Sequence, residues 1–410
     1  MLTLKEFLKK SAVKKEVIDR FLDAKQRNWA RFDPELGYVL GNSMPKDGMD
    51  NSSSISTVSP AGMRTQHHYA DQPCRMNTYG NSFTQCHQVS DGETWQEYLA
   101  AHLGEPVRNF GMGGYGVYQA YRRMIRTESS KQGADYSILY IWGDDHYRSL
   151  LRCRYALISS WFNKNHSGAS FFHNNFWANI EMDLHAGQLV EKESLCPTPE
   201  SLYRMCDPEF MYESLEDDLM LQMLLFHWHD DRSSELDITK ILDMNKIRTL
   251  AEILHVPVKA GSLAELKESI AKLSHKYAFA ATKYILAKSR GFAEANNKHL
   301  LISLFCPAAA RQMIQSGKRY DQEIVDYLQH SQMKYFDMNE VHAADFKNFK
   351  TPLEDYFNRY LIGHYKPAGN HFFAFAIKDV LVDWLDPKPI TYTHEQDQSI
   401  RFEGYLQYLS

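Results

Sequence analysis

The 410-residue sequence has no surplus of positive charge: 46 Lys and Arg stand against 51 Asp and Glu, a net charge of −5. A generic nucleic-acid binder carries a clear basic excess, so nucleic acid is not an expected partner. Long apolar runs are missing as well. Stretches such as residues 372–377 (FFAFAI) fall far short of the roughly 20 residues that cross a bilayer as a helix. The opening MLTLKEFLKKSAVKKEV scatters its lysines at helical spacing and lacks the continuous apolar core and small-residue cleavage site of a secretory leader. It reads as a short amphipathic helix on a cytoplasmic protein with no membrane partner. The six cysteines (74, 86, 153, 196, 206 and 306) contain no CxxC pair, which removes the usual zinc and disulfide frameworks and leaves buried thiols as the expectation. There is no internal repeat and no low-complexity tract.

What is present is ordinary globular material, with 44% hydrophobic and 24% charged residues. The 13% aromatic content fits deep packing and a ligand cleft equally. Residues 41–62, rich in Ser, Asn, Gly and Pro, read as a long loop after an N-terminal arm. From there the periodicity alternates. Strands are expected at 75–79, 107–110 and 137–142, with helices at about 94–103 and 117–127. Each strand runs into a polar or glycine turn: Gly80-Asn81-Ser82, then Gly111 to Gly116, then Asp144-Asp145-His146. That alternation predicts a parallel sheet covered by helices. Residues 150 to about 260 break it and include a helix at about 213–228. A long helix follows at about 263–296, with Ser262 as its N-cap. Strands return at 299–305 and 332–337, and a last helix runs over about 370–384.

The domain division that follows is a helical arm and loop over 1–70, a core formed by 71–150 and 295–390, a largely helical insertion over 151–294, and a tail over 391–410. The insertion is either a lid over the sheet or an appendage.

In an open parallel sheet, ligands bind outside the carboxyl ends of the strands. Ser82, the glycine run and the Asp144-Asp145 pair lie at three such ends, and His364 lies just before the last helix. A hydroxyl, an imidazole and backbone N–H groups at glycine turns are the components of an acyl-transfer site. Singly each has a bland explanation, since Ser after Gly is common turn chemistry and glycines serve turns everywhere.

Together they carry a resemblance. Tyr79-Gly80-Asn81-Ser82-Phe83-Thr84 resembles the first block, GDSxT, of the SGNH (GDSL-type) hydrolases. Asn109-Phe110-Gly111-Met112-Gly113-Gly114-Tyr115-Gly116 is similar to the second, Trp142-Gly143-Asp144-Asp145 to the third, and Gly363-His364-Tyr365-Lys366-Pro367-Ala368-Gly369-Asn370-His371 to the last. Their order and spacing agree over residues 75–150 and about 295–390. The resemblance implies a three-layer α/β/α sandwich on a central parallel sheet and a serine esterase that needs no cofactor and no metal. Ser82 would be the nucleophile and His364 its base. The N–H groups of Ser82 and Gly114 would hold the oxyanion, the third block's alignment puts a third, side-chain donor on Asp144, and Asp145 would line the substrate site. The expected partner is a small ester, a short acyl group on a polar metabolite or carbohydrate.

Three departures from the pattern stand out. Asn81 replaces the usual Asp before the serine. Asp144 stands where an Asn amide is expected, and an ionised carboxylate accepts hydrogen bonds rather than donating them. Ile362 occupies the position of the triad acid, so a backbone carbonyl or a distant acid such as Asp337 or Glu340 would have to orient the imidazole.

Rival readings are an O-acyltransferase using the same acyl-enzyme and a non-catalytic binding protein of the same fold. Gly111-x-Gly113-x-x-Gly116 is also a literal dinucleotide fingerprint, though its strand is short and contains Arg108. The run His227-Trp228-His229-Asp230-Asp231 is a weak metal motif, because its two histidines do not share a helix face. The stripe at 219–226 reads as helix core, with a lid over an acyl chain or a homodimer surface as the alternatives.

Overall fold

The computed structural model describes residues 3–60, 62–154, 175–227 and 237–392. Five strands form one parallel sheet: β1 (Met76–Tyr79), β2 (Arg108–Asn109), β3 (Tyr136–Ile141), β4 (His299–Leu304) and β5 (Tyr335–Asp337), in the order β2-β1-β3-β4-β5. β3 is buried along its whole length, as its sequence YSILYI requires of a central strand covered on both faces.

Alternation along the strands sorts the core into two. Tyr79, Leu139, Ile141, Ile302 and Leu304 belong to one apolar cluster. Met76, Tyr136, Ile138, Tyr140 and Leu301 belong to the other. Helices cover each face, and this makes three layers. On the second face lie α2 (Trp95–Leu103), started by the Thr94 hydroxyl accepting from the Glu97 N–H at 3.2 Å, and the last helix α6 (Pro367–Trp384). On the first lie α3 (Val117–Glu128) and the 33-residue α5 (Leu263–Ala295), which also touches α4 (Asp145–Arg148).

Three features differ from the reading by pattern. The N-terminal arm carries an antiparallel hairpin, Ala30–Asp33 with Gly37–Leu40, after its helices. The insertion contains a second hairpin, Asn179–Asp183 with Gln188–Lys192, beside its helices. α5 lies on the sheet-covering layer instead of forming part of a separate appendage. The 219–226 stripe is packed core: in the helix Leu219–His227 only Leu225 and His227 escape full burial. Of the histidine-acid run after it, only His227 is among the described residues, and the tail beyond 392 lies outside them. Among the described residues no helix is long and apolar enough to cross a membrane, and all six cysteines are free thiols.

His146 is a core residue and not part of the sheet rim. It is buried with Nδ1 2.8 Å from Thr282 Oγ1, and burial pushes its imidazolium down to about 4. The unfolded chain titrates near 6.5. Stability carried by the neutral ring is therefore complete above pH 6.5 and is lost as pH falls towards 4. Urea unfolding of the wild type and of His146→Gln is expected to diverge accordingly. The wild type should lose roughly 2 kcal/mol more than the variant between pH 8 and pH 5. Parallel pH profiles would contradict this.

Candidate active site

The serine turn is built by close backbone contact. β1 ends at Gly80 (φ 154°), where an added Cβ would lie 2.9 Å from the Tyr140 carbonyl oxygen, so a larger residue is excluded. Asn81 caps the four-residue helix α1 (Ser82–Gln85), its side-chain oxygen accepting from the Phe83 N–H at 2.7 Å. Ser82 is thereby fixed at the first position of α1, partly exposed, with its own N–H donating to no group among the described residues.

The glycine run docks onto this turn. Met112 N–H donates to the Gly80 carbonyl at 3.0 Å, and Gly113 N–H to Gln85 Oε1 at 2.7 Å. Gly111 donates to Asn109 Oδ1, Tyr115 to the Met112 carbonyl and Gly116 to Gln119 Oε1. Gly114 (φ 92°) is the exception in the run, since its N–H donates to nothing among the described residues. The amides of Ser82, in the serine turn, and Gly114, in the glycine run, are thus unspent among the described residues, and free backbone donors are what an oxyanion hole requires. The same accounting disposes of the dinucleotide fingerprint: the amides of Gly111, Gly113 and Gly116 are consumed inside the protein and cannot cradle a pyrophosphate.

His364 reaches Ser82 from the segment before α6. Its Nε2 is 2.7 Å from Ser82 Oγ, and Nδ1 is 2.9 Å from Gln88 Oε1. The same Gln88 oxygen accepts the His364 backbone N–H at 2.9 Å. Gln88 Nε2 donates to the Asp47 carbonyl at 2.9 Å, which fixes which end of the amide faces the ring. An amide oxygen can only accept, so His364 carries its proton on Nδ1 and offers a bare Nε2 to the serine hydroxyl.

Gln88 thus holds Nδ1 of His364, the nitrogen that the resemblance would give to an acid. Neither acid proposed from sequence does so: Asp337 is bound to Arg319 and to the Asn339 N–H and amide, and among the described residues the ring of His364 hydrogen-bonds Gln88 and Ser82, not Glu340. The Ile362 carbonyl is not used either; Ile362 instead donates its N–H to the His364 carbonyl. Gln88 sits at φ 73° in a loop clamped by the buried Arg64. That guanidinium donates to the Cys86 carbonyl at 2.7 Å, to the Val89 carbonyl and to Asp91 Oδ1 at 2.8 Å.

The Asp pair divides its work. Asp145 is buried. Its Oδ2 accepts from the Asn81 amide and from the Trp142 N–H (2.8 Å), and Oδ1 accepts from Arg148 Nη1 at 2.9 Å. Both oxygens are spent on the scaffold, so Asp145 ties the serine turn to β3. Burial pushes its carboxyl up to about 7 against the pull of Arg148 and Asn81. Asp144 is about one-third exposed, with Oδ2 3.5 Å from Arg148 Nη2.

The pairing with Asp145 also accounts for Asn81: an amide can donate to a buried carboxylate, whereas an Asp there would face it with like charge. Asn81→Asp is expected to lose about 2 kcal/mol or more at pH 8. The loss should shrink towards pH 5, because a shared proton with a raised pKa is lost as pH rises. Adding Asp145→Asn should restore stability at pH 8. Thermal unfolding of the three variants at both pH values checks this, and strictly additive effects would refute the pairing.

His364 is partly buried, and burial pushes its imidazolium well below the ordinary histidine range. His87, whose ring centroid lies 5.1 Å away, and the cations Arg148 and Arg154 push it the same way, while Asp47 opposes them. The arm supplies one wall. Tyr38 Oη donates to the Gly113 carbonyl at 3.1 Å, and Trp29 packs edge-on to His87 with centroids 6.0 Å apart. Gln88, Asp47, Trp29, Tyr38 and Arg154 all escape a reading by motif, because none lies within a block of the resemblance.

No family model matches the chain, and no curated protein matches it.

Proposed function

We propose that the protein is a serine ester hydrolase of the SGNH type, acting on a small ester through a Ser82 acyl-enzyme. The observation that carries the proposal is the chain Ser82 Oγ, His364 Nε2, His364 Nδ1, Gln88 Oε1, with links of 2.7 Å and 2.9 Å. As the Ser82 Oγ–carbonyl carbon bond forms, the hydroxyl proton passes to His364 Nε2 and the carbonyl electron pair moves onto oxygen. The N–H groups of Ser82 and Gly114 receive that oxyanion. Its collapse breaks the ester bond, and His364 returns the proton to the leaving alkoxide. Water then gives a proton to His364 and attacks the acyl group, which leaves as the acid when Ser82 recovers its proton.

The strand order β2-β1-β3-β4-β5 agrees with the doubly wound sheet of that family, and Ser82 and Gly114 follow the carboxyl ends of β1 and β2, where ligands of such sheets bind. His364 must be neutral to accept the proton. Its depressed pKa keeps it neutral to lower pH, so the acid limb of kcat/KM is expected well below pH 6.5.

A panel of short p-nitrophenyl esters, run with and without an alcohol or amine acceptor, tests the reading. Release of free acid in the presence of acceptor supports hydrolysis. Acyl transfer to the acceptor would replace the hydrolase by an acyltransferase, and no turnover of any ester would overturn both.

A further inference from the structure

Asp47 follows the hairpin of the N-terminal arm and meets the candidate site twice. Its carbonyl accepts from Gln88 Nε2 at 2.9 Å, which aims the Gln88 oxygen at His364. Its carboxylate holds the next residue along, His87: Oδ2 lies 3.0 Å from His87 Nε2, and Oδ1 accepts from the Ser54 hydroxyl at 2.6 Å. His87 is fixed from two more sides. Its backbone N–H donates to the Ser82 carbonyl at 3.0 Å. Its ring packs edge-to-face with Trp29, at 6.0 Å between centroids, and with His364, at 5.1 Å. A second imidazole with its own carboxylate thus sits beside the proposed base.

Aligning Ser82 needs neither the carboxylate nor the second ring, since Gln88 already sets the tautomer of His364. What the pair supplies is charge. Asp47 Oδ2 is buried and no aligned hydrogen bond reaches it among the described residues, so an imidazolium at His87 is what compensates it. Burial pushes the Asp47 carboxyl up, but His87 and Ser54 outweigh it and hold the group below the ordinary carboxylate range. The side chain of His87 is 29% exposed and that of Asp47 21%, so water screens the pair only in part. Two imidazoliums in ring contact repel, and a charged His87 therefore resists protonation of His364. Burial is the first cause of the low basicity of His364 and His87 the second; Arg148 and Arg154 act with them, and Asp47 acts against them.

We infer that His87 and Asp47 are positioning residues of the reaction: the Asp47 carboxylate holds a charged His87 against the His364 ring, and this lets the serine site work in acid. A base that stays neutral at low pH continues to accept the serine proton where an ordinary histidine is already charged. The inference rests on the reading of His364 as the base of Ser82 and adds how that base is tuned.

The test reads His364 directly and through turnover. The histidine rings are titrated by NMR with nitrogen-15 labelling and no ester present, and kcat/KM for p-nitrophenyl acetate is compared at pH 8 and pH 5. His87→Gln removes the adjacent cation and leaves the Asp47 carboxylate, so the His364 midpoint should rise by about one pH unit. A raised midpoint means loss of the base at higher pH. The fall in kcat/KM from pH 8 to pH 5 should therefore steepen by up to about ten-fold, whereas a purely structural defect would lower both values alike. His87→Lys keeps a cation and should stay close to the wild type. Adding Asp47→Asn to His87→Gln removes the remaining carboxylate and should bring the midpoint part of the way back down. A midpoint that is the same in the wild type, His87→Gln and His87→Lys overturns the inference, and so does a His87→Lys protein that behaves as His87→Gln does. If the variants do not fold, the wild type decides: at about pH 5.5 His87 should be the charged ring and His364 the neutral one, and the reverse order overturns the inference. Failure to turn over the ester, together with no modification of Ser82 by a fluorophosphonate, overturns the esterase reading and the pair's role in the reaction, while the titration still decides whether the charge on His87 governs His364.

Discussion

Ser82→Ala is expected to lower ester hydrolysis by a factor of roughly 10⁴ or more, and His364→Ala by a similar factor. The two groups act as one unit across 2.7 Å, so the double variant should be scarcely worse than either single one. Ser82 lies in a four-residue helix capped by Asn81, and its hydroxyl contributes nothing to that cap. Ser82→Ala should therefore keep the wild-type melting temperature. Steady-state kinetics with one activated ester, beside a melting curve, checks both statements. Multiplicative losses in the double variant would mean that serine and histidine act independently, contrary to the geometry.

Gln88→Ala is expected to cost about 10²- to 10⁴-fold in kcat/KM, although Gln88 never touches the substrate carbonyl in this mechanism. Its oxygen holds both the His364 N–H and Nδ1 at 2.9 Å, and loss of that acceptor frees the ring to rotate and to take the wrong tautomer. Gln88→Glu separates this role from mere packing. A carboxylate can accept the same two hydrogen bonds, and its charge would favour the imidazolium. The variant should retain activity within about ten-fold at neutral pH. Its acid limb should move up relative to the wild type, because a raised His364 pKa means protonation, and loss of the base, at higher pH. A Glu variant as impaired as the Ala variant, with an unshifted limb, would assign Gln88 to packing alone.

Gln88 marks how far the sequence could be read. The alternation of strands, helices and glycine turns over 75–150 and the strand at 299–305 depend on local periodicity, and the sheet follows it within a residue or two. Ser82 and Gly114 stand at turns just past strand ends, and His364 in a glycine turn just before the last helix, where local pattern is legible. The residue that orients His364 has no such signature. It is neutral, stands 276 positions from its partner, and adopts a left-handed backbone conformation in a loop that Arg64 clamps. Asp47 contributes through its carbonyl, which any residue possesses. The hairpin at Ala30–Asp33 and Gly37–Leu40 was obscured because four-residue strands around Pro34 give little alternation. Arg154 lies at the edge of the insertion, where no periodicity connects it to Gly114. α5 read as part of the insertion because a helix pattern does not state which surface its apolar stripe covers.

The missing triad acid and oxyanion Asn are what motivate a non-catalytic reading. In the proposed mechanism Gln88 at Nδ1 would stand in for the acid, and the unspent amides of Ser82 and Gly114 would be the two oxyanion donors. The central claim is that Ser82 is a nucleophile activated by His364. Its most direct test is reaction with a fluorophosphonate probe at pH 7, with the modified residue located by peptide mass spectrometry in the wild type and in folded His364→Ala. The account predicts modification at Ser82 in the wild type and its loss in the variant. Modification of a different serine, or equal modification of Ser82 without His364, would contradict it.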